Sequence, residues 1–321
     1  MLELLELPLL LGGLGLFIYA IGQLSDTLRE AFSDRAREAI KKYTKNLLAA
    51  VLIGTVVTIV LGSSSAAIIL TIVFINARAL DFRHAVGIIL GANIGTTFSS
   101  QLIALDVAQY SYLAIVVGLA LSLAARNEGW KTGGRAVLYL GLLFFGLYLM
   151  ESSVEGLKDS PQFEEWIAKL ENPIRGSLIG GLVTLIIQSS SATVGIAIVL
   201  GEQELLSVAA GLAVMLGAEL GTCSDTLLAT IGGSRAALKA GIFHITFNLL
   251  MIVVGLLLFQ PFVGLVEWIS GEGAEIDRQI ANGHLLFNTL GVLIFLPLVG
   301  LAVRGLNRLL PEGEGEATFE Q

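Results

Sequence analysis

Among the 321 residues there is one cysteine, Cys223. One thiol builds neither a disulfide framework nor a thiolate metal cluster. Charge is scarce as well: 14% of the residues are Asp, Glu, Lys or Arg, against about 25% in an ordinary soluble chain. That shortage, beside so much apolar sequence, excludes a soluble enzyme and a disordered chain alike. Basic residues are outnumbered 19 to 27, for a formal net charge of −8, which argues against nucleic acid as a partner. Prolines number only six. The start, Met1-Leu2-Glu3 with Glu6, has no basic segment ahead of its apolar run. A cleaved signal is therefore not expected, and the run over about 7–24 is expected to stay as a span.

What remains is apolar. Hydrophobic residues make up 55% of the chain and glycines number 37; the mean hydropathy is +0.80. This describes an all-α polytopic membrane protein, since a span needs about 20 mostly apolar residues. Glycine-rich helices of this kind pack closely or break inside the membrane. Further spans are expected at about 84–105, 110–125, 134–150, 205–231, 240–260 and 284–303. Two other tracts differ. Residues 47–77 are interrupted by Gly62-Ser63-Ser64-Ser65, and residues 174–200 by Gln188-Ser189-Ser190-Ser191. Each arm is about 12–15 residues, too short to cross. Two short helices around a polar tip predict a re-entrant hairpin, tolerated only against protein or beside a cavity. Residues 25–46 carry charge at helical spacing and predict an interfacial amphipathic helix.

A shift of 126 residues superposes the two interrupted tracts without a gap. Leu52-Ile53-Gly54 meets Leu178-Ile179-Gly180, and Ser63-Ser64-Ser65-Ala66 meets Ser189-Ser190-Ser191-Ala192. Further on, Gly91-Ala92-Asn93-Ile94-Gly95-Thr96 meets Gly217-Ala218-Glu219-Leu220-Gly221-Thr222. Chance matches of Leu and Val would not place two polar motifs at one offset, so a duplication is expected. The repeats are 7–126 and 134–260, followed by 284–321 as a final span and acidic tail.

If each hairpin enters and leaves on one face, each repeat makes three crossings and the second lies upside down. One face then collects 15 basic residues and the other collects Lys158, Lys169, Arg175 and Arg278, a split of 15 to 4. Single crossings would give 13 to 6. The positive-inside rule favours the hairpins, with the N-terminus outside, the C-terminus inside and seven spans.

An inverted repeat with broken helices is a secondary-transporter layout, with its site where the repeats meet. A helix starting inside the membrane leaves its first N–H groups unpaired and a partial positive charge. Serines there add hydroxyl donors, making an anion site without a fixed positive charge. Two runs brought together by pseudo-symmetry would surround one small oxyanion. The glycine-containing motifs at 91–97 and 217–223 are expected to be unwound, their freed carbonyls and Asn, Thr or Glu oxygens ligating a small hard cation.

With these motifs the chain resembles the type II sodium-phosphate cotransporter family, over roughly 12–300. The resemblance implies that Gln188, Ser189, Ser190 and Ser191, with Ser63, Ser64 and Ser65, form the phosphate site. It points to Asn93, Thr96, Thr97 and Thr222 for sodium; Glu219 and Asp225 are added to the sodium candidates as carboxylates in this stretch, not by the resemblance. The segments from His244 to Asn248 and from His284 to Asn288 resemble a His-x-x-Phe-Asn pattern of bacterial members. The sequence departs from the family pattern at Gly62, where Gln is usual, at Glu219, where Asn is usual, and at Cys223, where Thr is usual, with Asp225 following. A carboxylate near phosphate repels it unless a cation or proton lies between. Many bacterial members carry a soluble helical domain after the membrane part; here an acidic tail from Pro311 to Gln321 stands instead, so no such domain is expected.

A serine triplet alone is as readily a packing device; two at symmetric breaks favour a site. Asn93 and Glu219 could each serve as structural bridges. His244 and His284 read better as interface residues, Cys223 as a small buried one, and the basic residues of 29–45 as a solvated edge. The function expected is a sodium-coupled phosphate symporter of the inner (cytoplasmic) membrane working by alternating access, with no cofactor, no metal beyond sodium and no enzyme activity. Phosphate, sodium and the lipid bilayer are its partners, and a homodimer is left open. The alternative is transport of a dicarboxylate or other oxyanion; no Arg is seen in the site to grip a carboxylate, which favours phosphate. A channel or an intramembrane hydrolase is more distant. The hydrolase lacks a Gly-x-Ser-x-Gly elbow, and one nucleophile does not explain a duplicated serine run.

Overall fold

The computed structural model describes residues 3–44, 46–105, 110–155 and 161–311. Lys45, Lys158 and the tail beyond Pro311 lie outside the described residues. Among those described there are helices and no strands. Helix α1 (Glu3–Tyr43) runs through the first apolar stretch and the charged segment after it. At 1.5 Å per residue it is roughly 60 Å long, twice the ~30 Å hydrocarbon core. The amphipathic helix expected over 25–46 is thus no separate element. No Gly or Pro falls between Gln23 and Tyr43, so nothing stops the helix where the apolar stretch ends.

The first interrupted tract forms α2 (Leu47–Leu61) and α3 (Ser64–Asn76), followed by α4 (Phe82–Ile103), α5 (Ser111–Ala124) and α6 (Glu128–Glu155). Helix α7 (Pro161–Ala168) passes through a 3-10 turn, Lys169–Glu171, into α8 (Pro173–Ile187). The segment Glu165–Glu171 meets α8 at 109°. Then come α9 (Ser190–Glu202), α10 (Val208–Gly221), α11 (Cys223–Ala229), α12 (Arg235–Leu257), α13 (Phe259–Ser270), α14 (Ile276–Phe295) and α15 (Val299–Leu309). Six helices among the described residues are long and apolar enough to cross a membrane, taking α10 with α11 and α14 with α15 as single rods. The protein is a multi-pass membrane protein. Of the seven spans expected, the one at 110–125 falls short: α5 has 14 residues, about 21 Å of helix. Helix α13 was not among the expected elements.

Local structure repeats at the 126-residue offset. Helix α2 begins and ends at 47 and 61, α8 at 173 and 187; α3 at 64 and 76, α9 at 190 and 202. Helix α4 covers 82–103, and α10 with α11 covers 208–229. The capping chemistry repeats too. Asn46 accepts from the Ala49 N–H and Asn172 from that of Arg175; Asp81 accepts from His84 and Ser207 from Ala210. Left-handed residues end α2 at Gly62 and α8 at Gln188, and recur at Arg78 and Glu204.

Glycines explain how the arms dock. A Cβ on Gly54 would lie 2.3 Å from the Ile88 carbonyl oxygen, and one on Gly180 would lie 2.1 Å from that of Val214. A Cβ on Gly91 would lie 1.9 Å from the Val51 oxygen, and one on Gly217 would lie 1.7 Å from that of Ser177. Each pair is the other shifted by the same offset, and each brings backbone against backbone. This corrects the expectation of unwinding. Helix α4 is continuous through 91–97. Its Gly87, Gly91 and Gly95 recur every fourth residue and face α2, so they allow close approach rather than a break. In the second motif the helix is interrupted only at Thr222.

Helices α4 and α10 form the centre: Ile88, Ile89, Leu90, Leu212, Met215 and Leu216 are fully buried. Helices α2, α3, α12 and α14 pack on α4, and α8, α9, α12 and α14 on α10, while α1, α5 and α6 form a flanking layer. Outer faces are apolar. Ile174, Leu178, Leu182 and Ile186 recur every fourth residue on α8 and are exposed, as are Leu48, Leu52 and Val56 on α2. Such faces suit lipid contact.

Candidate functional site

The two interruptions meet in space. Gly62, Ser63, Ser64 and Ser65 from the first and Gln188, Ser189, Ser190 and Ser191 from the second line one cavity of about 320 Å³, with Thr222 beside them. At ~30 Å³ per water, that is room for a small oxyanion with part of its hydration. Helices α3 and α9 both begin at its wall. Ser63 and Ser189 cap them, each Oγ accepting from the N–H three residues on, Ala66 and Ala192, at 3.2 Å. A capping hydroxyl accepts through a lone pair, so its own proton remains free to donate to a ligand. The first N–H groups of each helix also open here, with the positive end of the helix dipole.

The tips differ in one respect. Gly62 takes φ 63, a left-handed conformation that costs glycine little. Gln188 takes φ 60 in the same position, where a residue with a Cβ is strained. The second tip therefore keeps its side-chain amide at the cavity wall at a conformational cost, and the first keeps the easier backbone without the amide.

Asp225, on α11, accepts a hydrogen bond from Ser65 Oγ at 3.2 Å. A carboxylate of α11 thus touches the serine run at the start of α3. Of the other cation candidates, Thr222 lines the cavity, and Asn93, Thr96, Thr97 and Glu219 are not among its lining residues. Asn93 Nδ2 donates to the Ile89 carbonyl at 3.0 Å, Thr96 to Ala92 at 2.9 Å and Thr97 to Ile94 at 2.7 Å, all within α4. Thr222 Oγ1 donates to the Glu219 carbonyl at 3.2 Å. Glu219 is buried in a polar network. Its Oε1 lies 2.6 Å from His284 Nε2 and accepts from Asn288 Nδ2 at 3.2 Å. His284 Nδ1 is 2.7 Å from Ser100 Oγ on α4. Asn248 donates to the Glu219 carbonyl and to Cys223 Sγ, and His244 Nδ1 pairs with Thr226. Both histidines and the buried cysteine thus serve interhelical hydrogen bonding, joining α4, α10, α11, α12 and α14. Among the described residues no three His, Cys, Asp or Glu side chains converge as a metal site.

One wall was missed from sequence. Ser25, Asp26 and Arg29 of α1 line the cavity beside the serines, above Ile18, Ile21 and Gly22. The expectation of a site without a fixed positive charge, and without an Arg, is corrected. Dividing α1 at about residue 24 leaves Arg29 on a solvated edge. As one helix, α1 carries residues 18, 21, 22, 25, 26 and 29 on a single face, and that spacing was the available signal.

Residues 16–152 and 154–270 match the sequence profile described as Na+/Pi-cotransporter. The chain belongs to that family. Among relatives of this cotransporter-family chain, the uncharacterized protein YqeW of Bacillus subtilis is 30% identical over 298 residues, which are 92% of this chain and 95% of YqeW. Escherichia coli YjbB, provisionally named an inorganic phosphate export protein, is 26% identical over 292 residues. The match covers 90% of this chain and 53% of YjbB, so the chain spans about half that relative's length. Human sodium-dependent phosphate transport protein 2B is 33% identical over 132 residues, 38% of this chain and 19% of that protein. No solved structure matches the chain.

Proposed function

We propose that the protein is a sodium-coupled symporter of inorganic phosphate in the inner (cytoplasmic) membrane, and not an enzyme. The observation that carries this is the convergence of both serine runs, Ser63–Ser65 and Gln188–Ser191, on one cavity. Hydroxyls and helix-start N–H groups from two sides suit a tetrahedral oxyanion. The names of YjbB and of the human transporter, and the family description, support phosphate.

Cation coupling has an electrostatic rationale. Asp26 and Arg29 balance at the cavity wall, and Asp225 adds a carboxylate through Ser65. Phosphate brings negative charge next to these carboxylates, and a cation between them would offset the repulsion. Asp225 through its bond to Ser65, with Thr222 at the cavity wall, would supply oxygens to such a cation. Asn93, Thr96 and Thr97 on α4 and Glu219 on α10 are the further oxygen-bearing candidates.

Alternating access is proposed to use α2–α3 and α8–α9 as re-entrant hairpins in two repeats, 7–126 and 134–260, of opposite orientation, with 284–321 closing the chain. Arms of 15 and 13 residues reach only about 20–22 Å, short of the ~30 Å core, which supports re-entry. The 15-to-4 charge split supports an outside N-terminus and an inside C-terminus. A dicarboxylate is the second reading, and the presence of Arg29 in the wall keeps it in play. The test is labelled-phosphate uptake into proteoliposomes under inward gradients of sodium, lithium, potassium or choline. Sodium-specific uphill accumulation is expected; uptake that only equilibrates indicates a channel, and no uptake of phosphate overturns the proposal.

A further inference from the structure

We propose that α1 supplies the cavity's anion-gripping residue, Arg29, and its built-in competitor, Asp26. The inference rests on reading the cavity as an anion site. Nothing in the duplicated motifs requires it. At the 126-residue offset Arg29 matches Glu155 and Asp26 matches Ser152, so only the first repeat brings this pair to the wall.

The geometry is specific. Ser25 Oγ donates to the Gly62 carbonyl at 3.1 Å, which pins α1 against the tip of the first hairpin. Arg29 lies one turn beyond Ser25 on the same face, about 6 Å along the axis, and both line the cavity with the serines. Arg29 Nη1 stands 3.6 Å from Asp26 Oδ1, with side-chain exposures of 46% and 66%. A pair this exposed and this long is weak. An oxyanion held by the serine runs offers the guanidinium two oxygens in its preferred forked geometry, a better partner than one carboxylate oxygen at that distance.

Anion binding is therefore an exchange. Without ligand, Asp26 neutralises Arg29 and keeps the cavity from collecting any passing anion. With ligand, Arg29 turns to it and Asp26 is left as a bare carboxylate facing the new negative charge. That carboxylate then needs a cation nearby, so Asp26 adds to the cation dependence of anion binding. Removing Asp26 should loosen that dependence, and removing Arg29 should weaken the anion itself.

The experiment is calorimetric titration of inorganic phosphate into the purified full-length protein in detergent, in sodium and in choline. The proteins are wild type, Arg29→Gln, Arg29→Lys, Asp26→Asn and Ser190→Ala. Arg29→Gln is expected to bind phosphate roughly three- to tenfold more weakly in sodium, and Arg29→Lys to recover part of the loss, since charge returns without the fork. Asp26→Asn is expected to bind more tightly, with a smaller ratio between sodium and choline. A structural role for the pair would not move that ratio. Wild-type affinity in Arg29→Gln, with Ser190→Ala weakened, overturns the inference and leaves the serine site standing. No phosphate binding by wild type overturns both. If Arg29→Gln does not fold, Asp26→Asn decides: an unchanged affinity and an unchanged sodium-to-choline ratio overturn the inference.

Discussion

Replacing Gly217 with alanine tests whether the hairpin arm α8 is held on α10 by backbone contact. A Cβ at Gly217 would lie 1.7 Å from the Ser177 carbonyl oxygen and 2.8 Å from the Gly181 nitrogen. A carbon-to-oxygen contact needs about 3.3 Å, so α8 and α10 must part by roughly 1.5 Å. The atoms in the way are backbone, and no rotamer change relieves them. Parting the helices also lifts Gly180 off the Val214 carbonyl, where the present fit leaves no room for a Cβ. Gaps of 0.5–1 Å already forfeit a quarter to a half of a dispersion contact. Overpacking usually costs about 1–3 kcal/mol; a backbone clash of this depth should reach the top of that range, against a gain of ~1 kcal/mol from alanine's helix propensity. The control is Gly15→Ala on α1, where nothing lies within 4 Å of the new Cβ. Thermal and denaturant unfolding of both purified variants in one detergent is the assay. Gly217→Ala should lose about 3–5 °C in Tm while Gly15→Ala holds or gains. Equal Tm values for the two variants would refute the packing argument. Gly91→Ala, its mate across the duplication, should behave like Gly217→Ala.

Ser190→Ala or Ser64→Ala should weaken phosphate uptake affinity about tenfold, the worth of a hydrogen bond to a charged group, with normal membrane levels; unchanged half-saturation in both would remove the serines from the site. Thr58 Oγ1 is buried without a partner, because Ala67 stands where the second repeat has Thr193, which bonds Thr184 at 2.7 Å. Thr58→Val should thus be neutral or stabilising by about 1 kcal/mol and Thr184→Val destabilising by a similar amount, and a reversed order in unfolding midpoints would contradict this. Glu219→Ala strips His284 and Asn288 of their shared acceptor and should cost about 2 kcal/mol or more in the same unfolding assay, with Glu219→Gln retaining part of it. Single cysteines at the exposed positions Lys41 and Lys169 should react with an impermeant label from inside and from outside respectively, the buried Cys223 staying silent; labelling of both from one side would end the inverted arrangement.

The sequence by itself determined the membrane class and the 126-residue offset at which motifs recur, because hydropathy and repeated motifs are carried residue by residue along the chain. It also located the two helix breaks, since Gly62-Ser63 and Gln188-Ser189 end one helix and cap the next through local chemistry alone. The role of the glycines at 91–95 was not legible there. Glycine permits both unwinding and close approach, and only the neighbour, α2 against α4, selects between them. The same holds for Glu219. A carboxylate in an apolar stretch announces a partner without naming it, and the partner, His284, lies 65 residues away on another helix. The cavity wall made by α1 depended on tertiary structure most of all. Asp26 and Arg29 read as solvated charges beyond the end of a span, and they become wall residues because α1 does not stop at residue 24 and is pinned through Ser25 to the first hairpin tip. Periodicity places a side chain on a helix face; which cavity that face meets is decided by helix packing that no local stretch of sequence contains.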